Sequence, residues 1–291
     1  TDIKSKCFER DSFRTEQCFT QELANQKIAT YATKQEPPTP MLRQNGPRQK
    51  DGNDASPFLW DDTKDLAIVT AASPAFMDRL RNFVGSVHYW EPNLEIDVYD
   101  LGLTDSHLDE IAQWKRVKVV PFQFEKYASH VSLLYNIAWK IILLNEAIKH
   151  HPRMIFFDSG IEIRRPLTDV RYFLEKDGYF SQYLYTGTRV DLIGSSTHEG
   201  TYSGLKKIGV EFNADEVSRL PFCAGGVTGL ARGHVESMLE PALECVLDVN
   251  CISPQGSGRN NHQYDQSVLS IVAHATGRGK SCHAENIVDY D

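Results

Sequence analysis

The 291-residue sequence contains neither Gly-x-Gly-x-x-Gly nor Gly-x-x-x-x-Gly-Lys-Ser/Thr. Those glycine-rich turns let backbone approach a pyrophosphate, so their absence argues against a dinucleotide-binding Rossmann enzyme and a P-loop NTPase. Gly-x-Ser-x-Gly is missing too, which leaves an α/β-hydrolase without its nucleophile elbow. Apolar runs such as Ile141 to Leu144 are far too short to span a bilayer. There is no long Lys/Arg block and the net charge is -8, which disfavours a nucleic-acid or anionic-membrane surface. No Cys-x-x-Cys pair offers a zinc finger. No Asn-x-Ser/Thr sequon occurs, a fact that neither supports nor excludes secretion.

What is present begins with six cysteines: Cys7, Cys18, Cys223, Cys245, Cys251 and Cys282. Cys7/Cys18 and Cys245/Cys251 are spaced for short disulfide loops, which would mean a secretory compartment. Buried reduced thiols are the other reading. Residues 1 to about 60 are polar and turn-rich, with Pro37-Pro38-Thr39-Pro40 and a Gly46-to-Asp54 run, and are expected to form a stem or linker arm. The folded domain is expected over 61–291. Any membrane attachment would then come from an anchor outside this chain, as in a type II membrane protein.

From residue 65 onward, strand-like and helix-like segments alternate. Asp65 to Ser73 reads as a strand, Pro74 to about Tyr89 as a helix, and Leu94 to Asp100 as a second strand. Asp105 to Trp114 is a short helix and Val117 to Phe122 a third strand. His130 to His150 has the spacing of one long helix, and Met154 to Phe157 is a fully apolar strand. The alternation predicts an α/β sandwich with a mostly parallel central sheet. Beyond it lie a strand at Tyr179 to Tyr185 and a polar stretch from Thr186 to Gly204 with little periodicity, of the kind that forms binding loops. A small-residue strand at Phe222 to Leu230, a helix at His234 to Val249 and a helix opening at Tyr264 follow.

The chemistry is expected at Asp158-Ser159-Gly160-Ile161-Glu162, where the apolar strand runs into a carboxylate and a turn. Other polar groups gather at strand and helix ends: Asp97/Asp100, Cys223-Ala224-Gly225-Gly226 and His262-Gln263-Tyr264-Asp265-Gln266. Mundane readings stand beside each of these, such as an Asx turn at Asp158 and a helix cap at Asp265.

Taken together, these segments resemble the GT-A fold glycosyltransferases, over roughly residues 65–290. Asp158 sits where that family has Asp-x-Asp, which holds a divalent metal on the donor diphosphate. Phe222 to Gly229 looks like its small-residue strand at the sugar site, and Tyr264 to Leu269 is similar to the Asp-Gln-x-x-Leu helix start of retaining galactosyltransferases and glycogenin-like enzymes. Little-characterised Golgi glycosyltransferases with an Asp-Ser-Gly motif look closer still. The resemblance implies a sugar transferase that takes a nucleotide-sugar donor, UDP-linked, and a glycan or glycoprotein acceptor in the Golgi lumen or secretory pathway. It implies catalytic roles for Asp265, Gln266 and Glu162. It implies donor contacts from Thr70, Ala71, Asp100, Lys140, Asp158, Ser159, Gly160, Gly225, Gly226, Arg259 and His262.

The chain departs from the family at Gly160, which removes the second metal carboxylate. Glu162 would lie on the same face as Asp158 if the strand continued, and could replace that ligand or act on the acceptor. The expected Mn²⁺ or Mg²⁺ set is therefore Asp158, Glu162 and His283. His274, in a His-x-x-Gly-x-x-Lys pattern, looks instead like part of a helix running to a Gly277 cap. A nucleotidyltransferase, or a non-catalytic glycan-binding protein on the same fold, are the competing readings.

Overall fold

The computed structural model describes residues 66–186, 189–283 and 288–290. The stem expected over 1–60, with Cys7 and Cys18, lies outside the described residues.

β1 (Ala67–Ala72) is buried throughout and leads through a 3-10 turn at Pro74–Phe76 into α1 (Met77–Trp90). Met77, Leu80, Phe83, Val84 and Val87 form the buried stripe of α1, at the helical spacing read from the sequence. β2 (Ile96–Asp100), α2 (Asp105–Ile111) and β3 (Val117–Pro121) follow. Thr104 caps α2 by accepting from the His107 N–H.

α3 (Ala138–Ala147) is much shorter than the expected 130–150 helix. Residues 129–136 form two 3-10 turns, and Ile137 adopts a left-handed conformation (φ 56°, ψ 20°) that breaks the helical path. The apolar spacing from Leu133 onward satisfied the helical period, but local hydrogen bonds from Asn136 decided the backbone. This moves Lys140 from mid-helix to the first turn.

β4 (Arg153–Phe157) is buried at every position and β5 (Ile161–Ile163) follows after a turn. α4 (Thr168–Asp177) and β6 (Tyr179–Tyr183) come next, then a small hairpin of β7 (Tyr185–Thr186) and β8 (Arg189–Val190). The polar stretch expected as a loop over Thr186 to Gly204 ends inside α5 (Glu199–Lys207), for which His198 supplies the cap. α6 (Ala214–Val217), β9 (Cys223–Ala231), α7 (Glu236–Leu247), α8 (Val249–Ile252), α9 (Asp265–Ala275), β10 (Cys282–His283) and β11 (Val288–Tyr290) complete the chain.

The main sheet has the order β10-β6-β9-β4-β1-β2-β3, with β9 alone running against its neighbours. It is the mostly parallel α/β sheet that the sequence predicts. Met154 and Phe156 pack on one face with α3, α7 and α9, while Ile155 and Phe157 pack on the other with α1 and α4. That two-sided burial is why β4 reads as an unbroken apolar run. β5 leaves this sheet and pairs with β11 instead.

Two disulfides occur among the described residues. Cys245–Cys251 ties the end of α7 to α8, as the short spacing suggested, and Cys223–Cys282 joins β9 to β10. No described helix is long and apolar enough to cross a membrane.

Candidate active site

Both neighbours of β4 hold its carboxyl end. Thr70 Oγ1 donates to the Phe157 carbonyl at 2.8 Å from β1, and the Asp158 N–H donates to the Gly226 carbonyl at 2.9 Å on β9. The chain then turns, with the Ile161 N–H donating to the Asp158 carbonyl at 3.0 Å. Asp158 thus sits at the carboxyl edge of an open α/β sheet, where ligands usually bind.

Beneath it lies Lys140. Its Nζ is 2.9 Å from Asp158 Oδ1, 3.0 Å from Asp265 Oδ2 and 3.3 Å from the Gly225 carbonyl. The Lys140 and Asp265 side chains are each 3% exposed, whereas that of Asp158 is 44% exposed. Burial pushes the Lys140 pKa down, but the two adjacent carboxylates more than offset this and hold it above the usual lysine value. The side chain is therefore an ammonium at neutral pH. Burial pushes the Asp265 carboxyl up, and Lys140 opposes that only in part. Asp265 Oδ2 has no well-directed hydrogen bond, so its contact with Lys140 is an ion pair held by proximity.

Two strained helix starts bring these charges together. Ile137 precedes α3, and Tyr264 (φ 46°, ψ -113°) precedes α9. Positive φ at non-glycine residues costs energy and clusters at functional sites. Asn136 secures the first turn, because its Oδ1 accepts from the Ala138 N–H at 3.1 Å and its Nδ2 donates to the His130 carbonyl at 2.8 Å. Lys140 is the third residue of α3, where a cation opposes the helix dipole, and the carboxylates offset that cost.

Glycine is required at 225. A Cβ there would lie 2.9 Å from Asp265 Oδ2 and 3.1 Å from Gln266 Cβ. The Gly225 N–H donates to Gln266 Oε1 at 3.1 Å, which fixes the amide. Gln266 Nε2 is buried without a hydrogen-bond partner, an unsatisfied donor beside the carboxylate pair. Arg259 lies at the rim, donating to the Tyr135 carbonyl at 3.3 Å with its guanidinium 5.4 Å from the Tyr264 ring centre. Its charge also favours the ionised form of Asp265.

The structure therefore gathers Lys140, Asp158, Asp265, Gln266 and Gly225, with Ser159 and Gly160 in the turn, Gly226 as a backbone partner and Arg259 nearby. Others fall elsewhere. The Thr70 hydroxyl is engaged with β4, and Ala71 is packed in the core. Asp100 Oδ1 accepts from the Gly102 and Leu103 N–H groups at 2.8 and 2.6 Å, an Asx turn. His262 is fully buried, with Nε2 donating to the Ile252 carbonyl at 2.9 Å and Nδ1 accepting from the His198 N–H at 3.3 Å. Burial lowers its pKa to about 4, so it is a neutral clamp inside the loop rather than a donor contact. His274 likewise bonds the Pro221 carbonyl at 3.0 Å within α9.

Glu162 needs the plainest correction. The turn at Ser159-Gly160 separates β4 from β5, so Asp158 and Glu162 do not share a strand face. Glu162 Oε2 is paired with Arg164 at 2.9 Å. The side chain of His283 lies outside the described residues.

The described members of the expected metal set, Asp158 and Glu162, do not converge on a divalent ion. Asp158 Oδ1 and Asp265 Oδ2 both face the Lys140 ammonium, Glu162 is engaged elsewhere, and no three His, Cys, Asp or Glu residues converge as metal ligands among the described residues.

One residue was missed by the sequence reading. Arg79, in the first turn of α1, lies against Gly160, with Cδ and a guanidinium nitrogen 3.5 and 3.6 Å from where a Cβ would stand. Nothing in the sequence links positions 79 and 160. The link appears only once α1 packs on β5, where the Ile163 N–H donates to Ser86 Oγ at 3.0 Å.

A cavity of about 510 Å³ lies at the other end of α3, between Glu146, His150 and His151 and the β2–β3 edge. Asp97, the second candidate carboxylate of β2, lines it and is paired with His151 at 2.9 Å.

Comparison with known proteins adds distant likenesses. Residues 56–145 match the family described as a protein of unknown function, DUF1647. A search of curated proteins gives no match. Among solved structures, the chain is similar to the galactosyltransferase LgtC in complex with donor and acceptor sugar analogues, at 18% identity and a TM-score of 0.43. That likeness covers 75% of this chain and 72% of the other. It is also similar to mouse xyloside xylosyltransferase 1 in its apo form, at 12% identity and a TM-score of 0.45, over 75% of this chain and 84% of the other.

Proposed function

We propose that this chain is a glycosyltransferase that moves a sugar from a UDP-linked donor to a hydroxyl of a glycan or glycoprotein acceptor. The observation that carries the reading is the Lys140 ammonium, buried between Asp158 and Asp265 at the carboxyl end of β4. Sugar transfer breaks the bond from the anomeric carbon to the diphosphate as the acceptor oxygen attacks and loses its proton. The sugar passes through a cation-like state, which nearby carboxylates stabilise. Asp158 presents an exposed carboxylate to that space, and the contact with Lys140 keeps it aimed. Gln266 offers its unpartnered amide N–H to a sugar hydroxyl, and Asp265 holds the lysine from below.

The motif order along the chain supports the same reading, as does the ligand position at the sheet's carboxyl edge. The two disulfides favour an oxidising compartment, consistent with the Golgi lumen or another part of the secretory pathway. A non-catalytic glycan-binding role draws on one observation, the glycine at 160 in place of a carboxylate.

The test is turnover. Purified protein, incubated with a panel of UDP-sugars and mixed glycan acceptors, is expected to release UDP from at least one donor. Binding of a donor without any release would favour the non-catalytic role.

A further inference from the structure

Lys140 stands between the Asp158 and Asp265 oxygens, in contact distance of both. A divalent ion shared by those carboxylates would need that same space. The ammonium cancels one of the two negative charges, so the attraction that would draw in a cation is already largely spent. The donor's diphosphate still needs positive charge. Lys140 faces three protein acceptors and is 3% exposed, so its protons are committed.

Arg79 is differently placed. It is exposed, its guanidinium lies 5.6 Å from the Phe76 ring centre, and among the described residues it has no carboxylate partner. Its neighbour Arg81, by contrast, is paired with Asp78 and Glu110. Gly160 is what leaves it open. An aspartate at 160 would sit in contact with Arg79 and consume its charge. Arg259 lies over the Tyr264 ring at the rim of the Asp265 side. A guanidinium fork matches two phosphate oxygens at once, which an ammonium does not.

We propose that this site takes its donor's diphosphate on arginine and not on a divalent cation. Lys140 occupies the position between the carboxylates, and Arg79, laid against Gly160, meets the phosphates with Arg259 as the second cation. The inference rests on the nucleotide-sugar donor reading above. It turns the missing carboxylate at position 160 from a defect into the feature that keeps Arg79 free.

The experiment uses UDP as the probe, with binding read by calorimetry and by thermal shift. The wild-type dissociation constant is expected to agree within about twofold between EDTA and Mn²⁺, and MnCl₂ alone is expected to leave the melting temperature unchanged. Arg79→Ala is expected to weaken UDP about tenfold or more, with Arg79→Lys recovering part of the loss. Arg232→Ala, at the opposite end of β4, is expected to bind as wild type. UDP binding that requires Mn²⁺ overturns the inference and leaves the donor reading standing. Full UDP affinity in Arg79→Ala also overturns it. Absence of binding by UDP or any UDP-sugar, with or without Mn²⁺, removes the donor reading and this inference with it.

Discussion

At the Asp158–Gly160 turn a carboxylate stands 44% exposed above a buried ammonium, whereas in the loop 253–264 the histidine is fully buried and both ring nitrogens are engaged. Both stretches are polar in sequence, and both lead towards α9 or face it. Apart from Arg259 at the rim and the Ser257 hydroxyl, the loop's polar groups are largely spent on the protein: Asn261 Oδ1 accepts from the Gly258 N–H at 2.8 Å, its Nδ2 donates to the Gly256 carbonyl at 3.1 Å, and His262 joins α5 to α8. Around the turn, polar atoms stay unspent: the exposed Asp158 carboxylate beyond its Lys140 contact, the Gln266 Nε2 amide on α9 and the Arg79 guanidinium on α1. Polar density marks neither function nor structure by itself. What separates them is whether the backbone has already taken the hydrogen bonds.

That contrast is sharpest at Lys140. Lys140→Met leaves Asp265 buried and unpaired, and is expected to cost about 3–5 kcal/mol of stability along with all transfer. Adding Asp265→Asn should recover much of the melting temperature without restoring transfer, which a purely structural ion pair would not explain.

His262 tests the other region. Its folded pKa, depressed from 6.5 to about 4, means the unfolded chain takes up a proton that the folded chain refuses. Stability is therefore full above about pH 6.5 and falls as the pH drops towards 4, by about 3 kcal/mol from this group. His262→Gln should flatten that acid slope while leaving UDP affinity at pH 7 within about twofold of wild type. A tenfold loss of affinity would return His262 to the donor site.

Gly225→Ala comes next. The added methyl meets Asp265 Oδ2 and Gln266 Cβ, and overpacking of this kind costs about 1–3 kcal/mol. Transfer should fall further than stability does, because the displaced groups are those of the site. The smallest effect is expected at Asp100→Asn. The amide oxygen still accepts from Gly102 and Leu103, so stability should change by less than about 0.5 kcal/mol and transfer by less than about twofold.

The sheet was legible because β1, β2, β3 and β4 carry apolar runs of strand length between helical spacings, and two-sided burial writes itself as an uninterrupted run. Asp158, Asp265, Gln266 and Gly225 were legible as polar or small residues at element ends. Glu162 was misplaced because a two-residue turn looks like strand continuation when hydrophobic alternation persists through Ile161 and Ile163. The early start assigned to α3 failed for a related reason, since Ile137 satisfies the helical period while its backbone breaks it. Arg79 was invisible because its importance comes from a packing contact across 81 positions, between α1 and the turn before β5.

Asp158 carries the central claim, since its carboxylate is the part of the buried cluster that solvent and substrate reach. Asp158→Asn keeps the side chain's size and an amide oxygen facing Lys140, but removes one of the two carboxylates that offset burial of that ammonium, so the variant should stay folded with a stability loss of about 1–3 kcal/mol. UDP release from the preferred UDP-sugar, measured for wild type and Asp158→Asn under identical conditions, should fall about a hundredfold or more in the variant. Equal turnover by a folded Asp158→Asn protein would contradict the assignment of this site.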